Sequence, residues 1–301
     1  MDFCVWLGAR RPHSGLYATT SNDMARGQPP RRKKTHFYVP LIAKHYTRLL
    51  VVFLYVFAPM LASNAYAHGV TLKVHHSLPA DSPFHTQFLV PWLAKLENES
   101  HGLLRFQVYP AMQMGGTASQ LYDQVKQGTA DIVWIRTALN AERFPAFTVF
   151  NLPLRTNSSQ GSSRALWEYV QAQDLARSEF TGVRLLAVHV ATIKPSEPAS
   201  TSSDDKRSSD TFILAMNSAV YKSLSDELKK VIMANSGAET STWLGKIADA
   251  AIGKPVAGAA TEIAQKTIDD RIKQLDALGL NGKELIDSAR ALNAEYDPPK
   301  K

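Results

Sequence analysis

The sequence predicts an α/β fold, and three observations carry that reading. Short runs of alternating apolar residues, such as Leu104, Phe106 and Val108 set between Arg105, Gln107 and Tyr109, recur with stretches of helical spacing between them. From Thr71 to Ile135 the order is β-α-β-α-β, which calls for crossover helices on a largely parallel sheet. With 45% hydrophobic and 20% charged residues in 301, the chain is ordinary globular material, which excludes collagen-like, coiled-coil and wholly disordered classes.

The chain carries 34 Lys+Arg against 27 Asp+Glu, a net charge of +7. The excess sits in residues 1–67, with nine basic and two acidic residues; the remainder balances at 25 against 25. A nucleic-acid partner is therefore not expected, because the body lacks the basic footprint such binding needs. Residues 1–67 read as a leader with a signal peptide: basic residues up to Arg48, the apolar run Leu49–Leu61, then the small-x-small pattern Ala65-Tyr66-Ala67. That run is 13 residues, short of the roughly 20 that span a bilayer. Cleavage after Ala67 and export to a periplasm are the expectation. The one cysteine, Cys4, lies in this leader, so no internal disulfide, thiolate metal site or cysteine nucleophile is expected in the body.

The first strand is Thr71–His76, ending at Ser77-Leu-Pro-Ala-Asp-Ser-Pro. Ser82 caps a helix with Pro83 at its first position and Phe84, Phe88, Trp92 and Leu96 on one face; Pro91 should kink it. A second strand at 104–109 leads through Gly115-Gly116-Thr117 to a helix at 118–127, closed by Gly128, and to the buried strand 131–135. An apolar, proline-punctuated segment covers 144–154, a helix 163–180 and a strand 183–190. Residues 195–210, with six serines and no large apolar side chain, predict a disordered linker. Beyond it come a strand at 211–217 and helices near 225–235, 240–251, 259–278 and 283–295.

Five collinear stretches, 75–100, 105–134, 143–154, 212–237 and 279–292, together resemble the solute-binding subunit of tripartite ATP-independent periplasmic (TRAP) transporters, the dicarboxylate-type family. The resemblance implies a periplasmic-binding-protein-like receptor of two lobes joined by crossing strands, which closes on a small organic acid and delivers it to TRAP membrane permease subunits. It implies neither a catalytic activity nor a cofactor. Leu185–Val190 and Phe212–Asn217 correspond to the crossings. Between them the family carries most of a second lobe, with an arginine that pairs bidentately with the ligand carboxylate. Here the linker stands in that place, so the second lobe is expected to be largely missing. The expected organisation is a first α/β lobe at 68–190, a linker at 191–210 and a returning strand with C-terminal helices at 211–301. A binding-deficient remnant and, more remotely, an exported enzyme are the competing readings; the enzyme lacks any G-x-S-x-G, H-E-x-x-H or phosphate-loop motif.

Candidate ligand residues follow. His76 and Ser77 end the first strand, where open α/β sheets bind ligands, although a histidine there is equally a buried strand residue. Trp134 forms either a cleft wall or core. His189 and Asn217 fall on the crossings, and Asn217 matches a ligand-facing asparagine of the family; its plainer reading is a turn residue bonding its own backbone. Arg136 is expected to be exposed. Gly115-Gly116-Thr117 offers an anion nest or, more simply, a turn. His75, His76 and His85 do not predict a metal site, since adjacent strand residues point to opposite faces.

Overall fold

The computed structural model describes residues 69–154, 156–192, 209–253 and 262–298. The leader and the bulk of the linker expectation, 193–208, lie outside them. Strand β1 (Val70–His76) is followed by a helical segment that opens at Pro83, with Ser82 Oγ accepting from the His85 amide as the cap chemistry requires. A π-helical turn at His85–Leu89 then feeds α1 (Val90–Glu99). Pro91 has no N–H to donate, so the ladder is already interrupted there, and the wide turn sits just before it. The wider turn also keeps the every-fourth-residue stripe in phase, so Phe88, Trp92 and Leu96 are all buried.

Strand β2 (Leu104–Tyr109) leads to a 3-10 turn at Ala118–Gln120 and α2 (Leu121–Gln127). Thr117 and Gln120 form a capping box, and Gly128 at φ 80° ends α2 in the left-handed region that favours glycine. Strand β3 (Ile132–Arg136) precedes the 144–154 segment, whose core is a buried 3-10 turn, Phe147–Asn151. Helix α3 (Ser159–Ala172) begins four residues before the expected start and stops at Asp174, φ 47°, before the short α4 (Leu175–Ser178). The early start is set from outside the helix. Its Ser- and Gly-rich first turn has poor propensity, but Ser158 Oγ accepts from Gly161, and the carboxylates of Asp249 and Asp297 take the amides of Ser159, Gln160, Asn157 and Ser158.

Strands β4 (Val183–Thr192) and β5 (Ser209–Asn217) each run two residues beyond the expected bounds. The linker expectation is corrected at both ends: 191–192 and 209–210 are strand, because Ala191 and Thr192 pair with Asp210 and Ser209. Then come α5 (Ser218–Ser223), absent from the sequence reading, α6 (Asp226–Ala234), α7 (Ala238–Ile252), α8 (Glu262–Ala277) and α9 (Gly282–Tyr296).

The described residues form one five-stranded sheet of order β2-β1-β3-β5-β4. β1 runs parallel to β2 and β3, while β5 is antiparallel to both β3 and β4. The carboxyl ends of β1, β3 and β4 therefore lie at the same end of the sheet as the start of β5. One face packs Leu72, Val74, Ile132, Leu214 and Met216 against Phe88, Trp92, Leu228, Ile232 and Leu244; the other packs Val133, Ile135, Val188 and Ile213 against Leu166, Tyr169, Phe147 and Ile286. The outer edge of β4 is covered by two serines. Val188 and Val190 donate to Ser241 Oγ and Ser163 Oγ, and Gly237 donates to the Leu186 carbonyl, which satisfies edge groups that would otherwise template pairing.

Candidate functional site

A cavity of about 550 Å³ opens at the carboxyl ends of β1, β3 and β4, within the size range of small-molecule sites. Strand periodicity assembles it. Trp134 and Arg136 are two apart on β3, so they share a face. Arg136 lies opposite Phe212, and Phe212 opposite His189, while Asp210 is two residues before Phe212. All five side chains thus gather on one face at one end of the sheet. Phe84, Leu78 and Ser77 from the β1 exit, Leu139, and Ile252 from the end of α7 complete the lining.

The apolar wall is aromatic. Phe84 meets Trp134 edge to face with ring centroids 5.1 Å apart, and Phe212 lies 6.4 Å from the Trp134 ring. His189 lies behind this wall: it stacks on Phe212 at 4.6 Å and 7°, and its Nε2 receives the Trp134 indole N–H at 3.1 Å. Because an indole nitrogen only donates, that bond places the imidazole proton on Nδ1. Complete burial holds the ring neutral, with its pKa lowered to about 3. Its role is to fix the Trp134 ring.

His76 lies beside Trp134 in register on β1 and is likewise buried. The Leu78 amide donates to Nδ1 at 3.2 Å, so Nε2 carries the proton and donates to His85 Nδ1 at 2.9 Å. Burial first, and the neighbouring His85 second, lower its pKa to about 4. The neutral imidazole therefore holds the Ser77-Leu78 corner of the cavity in place. His75 points to the other face and bonds Gln124 Oε1 at 2.7 Å. Among the described residues no group of three or more His, Cys, Asp or Glu is placed to share a metal ion.

Among the described residues the polar end holds the Arg136–Asp210 ion pair. Arg136 Nη2 donates to Asp210 Oδ2 at 2.5 Å, while Arg136 Nε is buried without a hydrogen-bond partner. The expectation that Arg136 is simply exposed is corrected: its side chain is 40% exposed but lines the cavity and faces a carboxylate. Of the predicted ligand residues, Ser77 and Trp134 line the cavity, and His76 and His189 sit directly behind it. Asn217 does not come near it. It pairs at the opposite end of the sheet, where its amide donates to Asp131, its Oδ1 caps α5 through the amides of Ala219 and Val220, and its Nδ2 donates to the Val125 carbonyl. Gly115-Gly116-Thr117 is turn chemistry: the Thr117 amide is taken by Gln120 Oε1 and the Gly115 carbonyl by Gln124. A second cavity, of about 500 Å³ at the start of α3, has its acidic groups occupied in capping that helix and in pairing with Arg164.

The family model described as bacterial extracellular solute-binding protein, family 7 (DctP), matches residues 74–196. A TRAP solute-binding protein from Rhodoferax ferrireducens T118, solved with copurified benzoate, superposes with a TM-score of 0.63 at 26% identity, covering 75% of this chain and 98% of its own. In fold, and in sequence over residues 74–196, the chain is similar to the TRAP solute-binding proteins. A marine-metagenome TRAP solute-binding protein specific for aromatic acid ligands, solved with 3-hydroxybenzoate, matches with a TM-score of 0.66 at 26% identity over 76% of this chain and 99% of its own. A Bordetella bronchiseptica TRAP protein with bound mandelate shares the fold at 17% identity and a TM-score of 0.62, covering 76% of this chain and all of its own. TRAP solute-binding proteins are extracytoplasmic transport receptors that bind small carboxylates and work with TRAP membrane subunits; the family is not one of enzymes. Among the described residues no helix is long and apolar enough to cross a membrane.

The sequence reading missed Phe84, Arg136, Asp210 and Phe212 as lining residues. A signal existed for Arg136, which by strand alternation must share the face of Trp134. Phe84 was absorbed into the core stripe of its helix, and Asp210 into the linker.

Proposed function

We propose that this chain is the extracytoplasmic receptor of a TRAP transporter, binding a small organic acid in the cavity at the carboxyl ends of β1, β3 and β4 and presenting it to the TRAP membrane subunits. The observation that carries the reading is the combination of an aromatic wall, Phe84, Trp134 and Phe212, with a guanidinium at its rim. Aromatic acids, which the two relatives at 26% identity hold or are specific for, suit such a wall. Ser77 and Trp134 contact the ligand in this reading, and His76 and His189 keep them in place. No step breaks a bond in the ligand, so the protein binds and releases and does not catalyse. The leader directs export and is cleaved after Ala67.

In this reading the stretch of chain between β4 and β5 takes the place of most of a second lobe, and the described residues supply one sheet. Closure of an opposing lobe excludes water and strengthens polar contacts, so affinity is weaker than that of two-lobed relatives. Thermal unfolding of the exported protein with benzoate, mandelate, succinate and pyroglutamate tests the proposal. A ligand that binds only the native state raises the melting temperature in a concentration-dependent way. No shift with any of these acids at concentrations up to tens of millimolar contradicts it.

A further inference from the structure

The segment 77–84 gives Ser77, Leu78 and Phe84 to the cavity, and the two residues that bracket it, His76 and His85, are bonded ring to ring with Nε2 of the first 2.9 Å from Nδ1 of the second. The corner is also held from outside. The amides of Ala111 and Met112 donate to the carbonyls of Leu78 and His76 at 2.9 and 3.1 Å, and both residues do so from the left-handed region, at φ 48° and 60°, which residues with side chains enter at a cost. The titratable neighbour of the pair on its own strand is His75, turned to the other face. From the elements packed around it, β3 presents Trp134 in register with His76, β4 presents His189 against Trp134 and Phe84, and α7 meets the π-helical turn through Trp243 on Phe88. The charged groups of the cavity, Arg136 and Asp210, face each other. Neither imidazole of the pair has a carboxylate partner among the described residues.

The hydrogen bonds fix where the ring protons sit. The Leu78 amide occupies His76 Nδ1 at 3.2 Å, so the neutral pair carries one proton on His76 Nε2, given to His85 Nδ1, and one on His85 Nε2. Both nitrogens left for a further proton are already acceptors. On His85 Nδ1 that proton faces the His76 N–H, and on His76 Nδ1 it faces the Leu78 N–H, so either position breaks a bond of the corner. We propose that the His76–His85 pair is a proton-operated latch on the cavity: neutral, it ties the ends of 77–84 together and holds Ser77, Leu78 and Phe84 in the wall, and one added proton opens it and weakens the hold on the ligand. The proposal rests on the organic-acid reading above for its ligand. His76 is fully buried and His85 only partly, so His85 takes the proton first.

Two measurements on the exported protein test this. Calorimetric titration with benzoate, whose carboxylate stays ionised above pH 5.5, should show affinity weakening about threefold or more from pH 7.5 to pH 5.5, with circular dichroism confirming the folded state at each pH. H85Q supplies a carbonyl oxygen that accepts from His76 Nε2 and does not titrate, so its affinity should be independent of pH over the same range. The second measurement needs no ligand: in 15N-labelled protein the His85 ring should be the Nε2–H tautomer, and the Leu78 amide resonance should move with the same midpoint as that ring. Benzoate affinity equal at the two pH values, an H85Q profile that follows wild type, or a His85 ring that titrates while the Leu78 amide stays still overturns the latch and leaves the organic-acid reading standing. Absence of acid binding at every pH overturns the organic-acid reading and the release step with it, and the ligand-free titration then decides the latch by itself.

Discussion

Acidification should destabilise this protein well above the range where its carboxylates titrate, and the two imidazoles behind the cavity set the size of the effect. Burial lowers the pKa of His189 to about 3 and that of His76 to about 4, against about 6.5 in an unfolded chain. Between those values the unfolded state binds more protons than the native state, so stability rises with pH. The contribution is fully present above pH 6.5 and is lost as pH falls toward 4 and 3. Each histidine forfeits about 1.4 kcal/mol per pH unit in that window, so at pH 5 the two together cost about 4 kcal/mol, a large part of a typical 5–15 kcal/mol total. The local consequence is specific: a proton on His76 Nδ1 removes the acceptor of the Leu78 amide, and one on His189 Nε2 meets the Trp134 indole proton. Urea unfolding of wild type and H189Q at pH 7, 6, 5.5 and 5, followed by far-ultraviolet circular dichroism, measures the slope. H189Q should be less stable at pH 7 yet lose about 1.4 kcal/mol less per pH unit. A stability that is flat from pH 7 to pH 5, or an H189Q slope equal to that of wild type, refutes the assignment of neutral buried imidazoles.

Other outcomes follow from the same geometry. Asp297 accepts from the Asn157 and Ser158 amides and from the hydroxyls of Ser158 and Ser162, so D297A should cost about 3 kcal/mol by stranding these donors at the start of α3, read as a lower urea midpoint with an unchanged slope. Trp134 fills the cavity wall and bonds His189, so W134A should lower stability by about 3–5 kcal/mol and W134F by less, with both weakening benzoate binding. Mass spectrometry of the exported protein should find its N-terminus at His68; a retained Leu49–Leu61 segment in the membrane fraction contradicts cleavage.

Much of the fold was legible because its signals are local. Ser82 before Pro83, Gly128 after α2, Ser225 before α6 and the alternation of Leu104, Phe106 and Val108 act within a few residues of the structure they determine. The start of α3 was illegible for the opposite reason: the two carboxylates that hold it come from Asp249 and Asp297, about 90 and 140 residues away along the chain. Helix α5 was missed because its cap, Asn217, was read as a ligand residue, although an asparagine at a strand end followed by Ser-Ala-Val-Tyr is also a helix start. In the site, residues that share a strand were partly readable and residues that meet across strands were not. Trp134 and Arg136 belong together by the period of two, but Phe212 and Asp210 join them only through the antiparallel register of β5. That register depends on a return through 193–208 which no local pattern specifies.

The central claim is that a carboxylate enters the aromatic cavity at the carboxyl ends of the sheet, and the Trp134 indole N–H reports on it directly. Bonded to His189 Nε2 and packed edge to face among Phe84, Phe88 and Phe212, it should give an indole proton resonance distinct from those of the other tryptophans, assigned by its loss in W134F. Titration of the 15N-labelled exported protein with benzoate should shift that resonance saturably, while benzamide, the uncharged analogue, leaves it in place. An indole resonance unmoved by benzoate, or moved equally by benzamide, contradicts the account.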